Sequence, residues 1–226
     1  MKLLLFDIDG TLLSAGGAGT RSLNSAFRDI LCIENAFQGV NMAGKTDPLI
    51  VKEGLAKHGI PNNNGIVPQV LESYLAYLHT EIQTDKKHLK PGVPEALDAL
   101  KDMPEYTVGL LTGNLEAGAR IKLEAFGIYG SFLCGAFGSD HEDRNLLLPI
   151  AAQRFRERKQ REIGFNKCVI IGDTPRDVAC CKPYGAACIA VATGPYTRAR
   201  LEKTEADVVM DDLGDTARFL NALKRL

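Results

Sequence analysis

The chain has 226 residues, 45% of them hydrophobic, which is enough for one large domain or for a domain that carries a sizeable insertion. Its 27 basic and 28 acidic residues balance, so no basic excess points to nucleic acid or to an anionic membrane surface. No stretch is long and apolar enough to span a bilayer, and the six cysteines show no paired metal-ligand spacing. We therefore expect a cytoplasmic protein with reduced cysteines.

The first predicted element is a short apolar strand, residues 3–6, which ends at two carboxylates separated by one residue, Asp7 and Asp9. A continuous apolar run is typical of a strand buried on both faces. Open α/β sheets bind ligands at the carboxyl ends of their strands, so the two aspartates are candidates for a site. Asp, Gly and Thr are also common turn formers, and the pair alone leaves an ordinary turn equally open.

A helical block follows this strand. Helical periodicity predicts three helices in it, at about 20–31, 47–58 and 67–82, with a loop at 62–65. We expect no strand between residues 16 and 88, and a Pro/Gly junction at 89–94 ends the block. Residues 16–88 are therefore predicted to be an insertion at the carboxyl edge of the sheet, beside the two aspartates.

The rest of the chain alternates between strands and helices. Strands are predicted at 106–111, 131–134, 167–171, 187–192 and 207–210. Helices are predicted at 94–100, from 115 to 126, at 144–162, from 175 to 184, near 197 and from 212 onward. This alternation predicts an α/β fold with a doubly wound parallel sheet.

Polar residues follow three of the predicted strands. The loop at 112–114 follows the second strand, Asp173 follows the fourth, and Asp177 lies one helical turn further on. Because parallel strands end at the same edge of a sheet, Asp173 would crowd Asp7 and Asp9, and mutual repulsion would raise their pKa values unless a cation compensates. A site with few carboxylates and several waters suits Mg²⁺.

Four motifs in this order resemble those of the haloacid dehalogenase superfamily. They are Asp7-Ile-Asp9-Gly10-Thr11, Leu111-Thr112-Gly113-Asn114, a basic residue at Arg144, and Gly172-Asp173-Thr174-Pro175-Arg176-Asp177. The likeness spans nearly the whole chain, and phosphoglycolate-phosphatase-like members are the nearest. It implies a Rossmann-like catalytic core at 1–15 and 89–226, a mobile helical cap at 16–88, and Mg²⁺-dependent hydrolysis of a small phosphorylated metabolite by a monomer or homodimer.

The resemblance also implies roles for the acidic residues. Asp7 would attack phosphorus to form an aspartyl-phosphate, and Asp9 would protonate the leaving alcohol and later deprotonate water. Their spacing of two residues places both side chains on the same side of the strand exit. Mg²⁺ would be bound by Asp7, by the backbone carbonyl of Asp9 and by Asp173, while Asp177 would ligate through water or orient the basic residue.

The remaining motif residues would bind phosphate. Thr112 would donate its hydroxyl to a phosphate oxygen, with the backbone N–H groups of Gly113 and Asn114 nearby. Arg144 stands where the superfamily most often has lysine, so charge neutralisation would survive while the contact geometry differs. The alternative for Arg144 is an arginine near a helix start that has no connection to the site.

Two basic residues of the helical block are weaker candidates. The segment at 44–48 resembles a cap segment that reaches the active site, so Lys45 is predicted to contact the substrate, although a plain helix start is the alternative. Arg21 is either a substrate contact or an exposed helix residue. Three other functions stay open at this stage, a phosphomutase, a haloacid dehalogenase and a non-enzymatic module, although a dehalogenase has no need of the second acid, Asp9.

Overall fold

The computed structural model describes residues 1–62 and 65–226. In chain order its strands are β1 (Lys2–Phe6), β2 (Leu13–Ser14), β3 (His88–Leu89), β4 (Tyr106–Leu111), β5 (Gly135–Ala136), β6 (Cys168–Gly172), β7 (Ala187–Val191) and β8 (Val208–Met210). All but β2 and β3 form one parallel sheet in the order β5-β4-β1-β6-β7-β8, while β2 and β3 form a separate antiparallel ribbon.

Strand β1 lies inside the sheet, between β4 and β6. Its residue Phe6 is in register with Leu110 on β4 and with Ile171 on β6. The three strands therefore end side by side, and the polar residues that follow them meet at one edge.

Helices cover both faces of this sheet. In chain order the α-helices of the described residues are α1 (Ala18–Leu31), α2 (Asp47–Lys57), α3 (Ile66–Glu81), α4 (Val93–Lys101), α5 (Glu116–Glu124), α6 (Leu147–Lys159), α7 (Pro175–Cys181), α8 (Arg198–Leu201) and α9 (Thr216–Arg225). Successive β1 side chains alternate between the faces: Leu4 and Phe6 pack in the cluster that includes α4, α5 and α9, and Leu3 and Leu5 pack in the cluster that includes α6 and α7. The predicted doubly wound α/β fold with a Rossmann-like core is confirmed.

Helices α1, α2 and α3 form the helical block. Phe27 of α1 meets Phe37 edge-on with ring centroids 4.6 Å apart, and Leu55 of α2 is fully buried. The chain enters the block through β2 and returns through β3, where Leu13 pairs with Leu89. Within the described residues no helix has the length and apolar character needed to cross a membrane.

Three of the predicted elements need correction. The prediction of no strand between residues 16 and 88 is wrong at residue 88, where β3 begins. A strand of two residues is too short to show an alternating pattern in the sequence. The strand predicted at 131–134 is wrong, since Tyr129–Ser131 form a 3-10 turn. The chain begins to bond to β4 at Leu133, whose N–H donates to Val108 O at 2.9 Å, and the strand itself is β5.

The helix predicted at 144–162 is also different in the structure. Arg144–Leu146 form a 3-10 turn that the Asp143 carboxylate caps by accepting from the N–H of Asn145 at 2.9 Å. The α-helix α6 begins only after this turn and ends at Lys159, before Gln160, whose φ is 52°. The tight turn separates Arg144 from the helix and leaves its side chain buried against the sheet edge. The loop predicted at 62–65 includes residues 63 and 64, which lie outside the described residues.

Candidate active site

A cavity of about 440 Å³ lies between the carboxyl edge of the sheet and the helical block. Its sheet side includes Asp7, Asp9, Thr112 and Asp173, all of which follow β1, β4 or β6. The lining residues from the helical block include Thr20, Met42, Lys45, Asp47, Ile50 and Tyr74. The polar motif residues that are far apart in sequence therefore line one cavity together with residues of the helical block.

The carboxylate of Asp7 is buried beside a guanidinium. Burial raises the pKa of Asp7 to about 6, although the Arg144 guanidinium opposes this rise. Arg144 Nη2 lies 3.2 Å from Asp7 Oδ1, and the same nitrogen is paired with Asp177 Oδ1. Burial alone would lower the pKa of Arg144, but the carboxylates of Asp177 and Asp7 raise it above its ordinary value. Arg144 thus sits inside the site, between two of the motif carboxylates.

Three acids in this corner are close enough to share a cation. Oxygen atoms of Asp7, Asp173 and Asp177 all lie within 4.8 Å of one another, and Arg144 is the cation that the described residues place among them. Burial, then the charges of Asp177 and Asp7, raise the pKa of Asp173 well above its usual range. The ionised cluster carries more negative charge than one guanidinium neutralises, and this excess favours a divalent cation.

The oxygen atoms of Asp173 and Asp177 differ in what they already bind. Asp177 Oδ2 accepts from the N–H and hydroxyl of Thr174, and Asp177 Oδ1 accepts from Arg144. Asp173 Oδ1 accepts from the hydroxyl of Thr11 at 2.9 Å, whereas its buried Oδ2 has no hydrogen-bond partner in the described residues. A Cβ atom at Gly194 would lie only 1.6 Å from this Oδ2, so glycine keeps the space open. The donor set fits a hard cation bound directly by Asp173 and Asp7, with Asp177 in support.

The side chain of Asp9 is held on the other side of the site. Its Oδ2 accepts from Lys122 Nζ at 2.6 Å and from Asn114 Nδ2 at 2.8 Å. Lys122 was not identified from the sequence, and it lies 113 residues further along the chain on α5. It could have been noticed as a charged residue on the buried face of α5, which it shares with Gly118, Ala119 and Leu123.

Residues 112–114 form a compact polar turn after β4. Thr112 is fully buried, and its Oγ1 accepts from Asn114 Nδ2 at 2.9 Å, which leaves the hydroxyl hydrogen available to a ligand. A Cβ at Gly113 would lie 2.0 Å from the carbonyl oxygen of Lys45, so only glycine allows the helical block to approach so closely. The carbonyl of Gly113 accepts from the N–H of Asp47 at 2.8 Å.

The basic candidates of the helical block have different surroundings. Lys45 lines the cavity, and its ammonium group is paired with Glu53. Arg21 is bound instead to Glu81 and to the carbonyl of Gly16, and it is not part of the cavity lining. The cavity side of the block thus presents Lys45, whereas Arg21 of α1 is paired with Glu81 at the end of α3.

Asp47, the first residue of α2, faces the start of α5. It is buried, and its Oδ2 accepts from the N–H of Leu115, the residue before α5, at 2.8 Å. Burial raises its pKa to about 6 against the opposing charge of Lys122. Asp47 therefore links the helical block to the start of α5.

A Rossmann-like sheet with this arrangement of aspartates defines a haloacid dehalogenase-like hydrolase. The model of that family matches residues 1–185, so the chain belongs to it. The chain is 25% identical over 230 residues to the probable phosphatase IndB of Dickeya dadantii, covering 99% of this chain and 95% of that protein. It is 28% identical over 222 residues to the phosphoglycolate phosphatase of Pseudomonas savastanoi pv. phaseolicola, covering 94% of this chain and 77% of that protein.

A solved structure shows the same fold. CbbY from Rhodobacter sphaeroides, crystallised as a mutant with xylulose-(1,5)bisphosphate, superposes with a TM-score of 0.76 at 17% identity and covers 95% of this chain and 96% of that one. The predicted family, the predicted fold and the prediction that the chain is an enzyme are thus confirmed.

Proposed function

We propose that the protein is a Mg²⁺-dependent phosphatase that hydrolyses a small phosphorylated metabolite through an aspartyl-phosphate. One observation carries this proposal: Asp7, Asp9 and Thr112 line the same cavity, so an attacking carboxylate, a second acid and a hydroxyl donor can serve one phosphoryl group. The names of the relatives, a probable phosphatase and a phosphoglycolate phosphatase, support the substrate class. We expect a monomer or homodimer in the cytoplasm.

Asp7 is the nucleophile in this mechanism. With a pKa of about 6 it is largely ionised at neutral pH, and its contact with Arg144 fixes the carboxylate in the cavity. Attack by an oxygen of Asp7 on phosphorus displaces the alcohol and forms the aspartyl-phosphate. Arg144 and the hydroxyl of Thr112 neutralise and orient the phosphate oxygens.

Asp9 moves the protons. It donates a proton to the oxygen of the leaving alcohol and afterwards takes one from the water that hydrolyses the aspartyl-phosphate. The backbone N–H groups of Gly113 and Asn114 complete the phosphate site. Lys45, which lines the cavity from the helical block and pairs with Glu53, would contact the rest of the substrate.

Asp7, the backbone carbonyl of Asp9 and Asp173 would hold Mg²⁺, with Asp177 in support. The free buried Oδ2 of Asp173 is the group in this set that most needs a cation. When bound, the metal neutralises the excess negative charge and holds the phosphate next to Asp7.

We further propose that residues 16–88 act as a cap on a core formed by residues 1–15 and 89–226. Gly16 and Gly17 have φ angles of 60° and 81°, and Gly92, in the returning segment, has a φ of 77°. These two glycine-containing linkers are the expected hinges. Closure would exclude bulk water during phosphoryl transfer, and opening would release the product.

The decisive experiment combines a substrate screen with one variant. We expect the wild-type protein to release inorganic phosphate from 2-phosphoglycolate or from another small phosphate ester with Mg²⁺, and to lose this activity with EDTA. Asp7→Asn should abolish turnover and stay folded by circular dichroism, because it removes a buried charge. Asp98→Asn is the matched control, since Asp98 is exposed on α4 and paired with Lys101.

Three outcomes would contradict parts of the proposal. If Asp7→Asn keeps most of the activity, the assignment of the nucleophile is wrong. Hydrolysis that is insensitive to EDTA would exclude the role of the metal. Transfer of phosphate between two positions of a sugar, with little free phosphate, would favour a phosphomutase instead.

A further inference from the structure

Lys122 is a buried lysine of the sheet domain that none of the four motifs includes. It projects from the last turn of α5, and its side chain is only 5% exposed. Burying an ammonium group is costly unless hydrogen bonds and an opposite charge compensate. On the same face of α5, Gly118, Ala119 and Leu123 are ordinary packing residues, so an apolar side chain would fit the pattern of the helix better than a lysine.

The compensation for Lys122 comes from the site itself. Its Nζ lies 2.6 Å from Asp9 Oδ2 and 2.6 Å from Asn114 Oδ1. Asn114 Nδ2 in turn donates to the same oxygen of Asp9 at 2.8 Å and to Thr112 Oγ1 at 2.9 Å. Lys122 can only donate, so the amide oxygen of Asn114 must face it, and this fixes the orientation of the whole network.

The two oxygens of Asp9 are used unequally. Oδ2 accepts two donors, whereas Oδ1 accepts no hydrogen bond from the described residues, and the side chain is 44% exposed towards a cavity that it lines. One oxygen is thus fixed and the other is left for a ligand. The network also sets the distance between this acid and the hydroxyl of Thr112.

We propose that Lys122, together with Asn114, is the positioning residue that holds Asp9 with Oδ1 directed at the leaving oxygen of the substrate. The inference rests on the proposed phosphatase function, in which Asp9 is the acid and base. Loss of Lys122 releases Asp9 to rotate into solvent, because its side chain is already half exposed. Proton transfer suffers, while attack by Asp7 and the phosphate site remain in place.

The test uses two esters that differ in their need for a general acid. The alcohol of 2-phosphoglycolate must be protonated as it leaves, whereas p-nitrophenolate leaves p-nitrophenyl phosphate unassisted. General acid catalysis contributes about 10²–10⁴-fold, so we expect Lys122→Met to lower kcat/KM for 2-phosphoglycolate by roughly 10–100-fold and to leave p-nitrophenyl phosphate nearly unchanged. The ratio between the two esters does not depend on how much of the variant is folded.

Three further variants complete the design. Lys122→Arg keeps the charge and should recover part of the lost ratio, and Asp9→Asn should shift the ratio in the same direction as Lys122→Met. The matched control is Arg120→Met, which removes an exposed cation of the same helix that pairs with Glu124. It should leave both esters unaffected.

Two results for Lys122→Met would overturn the positioning role. One is an equal loss of kcat/KM on the two esters. The other is a loss for 2-phosphoglycolate that appears only in KM, because Lys122 would then bind the substrate's carboxylate. These results are distinct from failure of the phosphatase proposal. That failure would appear in the wild-type protein, as absence of hydrolysis of both esters with Mg²⁺, and it would overturn the inference as well.

Discussion

Replacing Asp47 with asparagine should stabilise the protein in a pH-dependent way. The carboxyl group of Asp47 is buried at the contact between the helical block and α5, and burial raises its pKa from 3.8 to about 6 despite the opposing charge of Lys122. The folded protein therefore holds a proton on Asp47 that the unfolded chain has already released. The variant has no carboxyl group to ionise at this position, while its amide oxygen can still accept the hydrogen bond from the N–H of Leu115 that Asp47 Oδ2 accepts at 2.8 Å.

The sign and size of the effect follow from these two pKa values. Below about pH 4 both states are protonated at Asp47, and ionisation costs nothing. Between about pH 4 and 6 the unfolded state gains stability as it ionises, so the free energy of unfolding falls, and above pH 6 the penalty is constant. A shift of about two pKa units corresponds to about 3 kcal/mol, which is the largest stabilisation that Asp47→Asn can show near pH 7.5.

Urea unfolding of the wild type and of Asp47→Asn between pH 4 and 8 measures this difference. We expect the variant to be more stable at pH 7.5 and the difference to vanish near pH 4. Asp98→Asn, at an exposed position, should show a difference that does not vary with pH in this way. A difference for Asp47→Asn that is constant with pH, or that grows as the pH falls, would refute the reasoning about the buried carboxyl group.

Two further perturbations test the acidic corner of the site. Removing the guanidinium in Arg144→Met leaves the buried carboxylates of Asp7 and Asp177 uncompensated. Urea unfolding should therefore show that the free energy of unfolding falls by about 3–5 kcal/mol, and by less in Arg144→Lys. An Arg144→Met variant as stable as the wild type would contradict this. Mg²⁺ at about 100 times its dissociation constant should stabilise the wild type by about 2.7 kcal/mol in thermal unfolding, and Asp173→Asn should lose this gain. A persistent Mg²⁺ effect in that variant would exclude Asp173 as a ligand.

Much of the sheet could be predicted because its strands carry their own signal. Residues 3–6 are apolar without interruption and fully buried, and the aspartates that follow them end the strand. The same pattern, an apolar run followed by polar residues, identified β4 and β6. It also predicted that Thr112 and Asp173 lie at the same edge of the sheet as Asp7. The strands that were wrong are β3 and β5, two-residue strands whose pairing depends on a partner strand rather than on their own residues. The helix predicted at 144–162 was wrong at its start, because the capped 3-10 turn at Arg144–Leu146 precedes it.

The network around Asp9 could not be predicted in the same way. Lys122 and Asp47 acquire their partners from segments 113 and 68 residues away in the chain, and neither residue belongs to a local motif. The signal that was available is the conflict between a charge and its place on the buried face of a helix. Such a conflict indicates that a partner exists, but only the tertiary structure identifies Asp9 and Asn114 as the partners of Lys122. The catalytic roles of the motif residues stay predictions until the variants are measured.

The β2–β3 ribbon brings the two ends of the helical block together where the block joins the sheet. Because Leu13 pairs with Leu89, the chain leaves the sheet domain and returns to it at almost the same point. A segment with adjacent ends can be lengthened, shortened or exchanged without a change in strand order, since the entropy of closing a loop grows only slowly with its length. In the proposed enzyme, the cavity wall that residues 16–88 supply could therefore change in length or sequence while the strand ends that carry the aspartates stay in place.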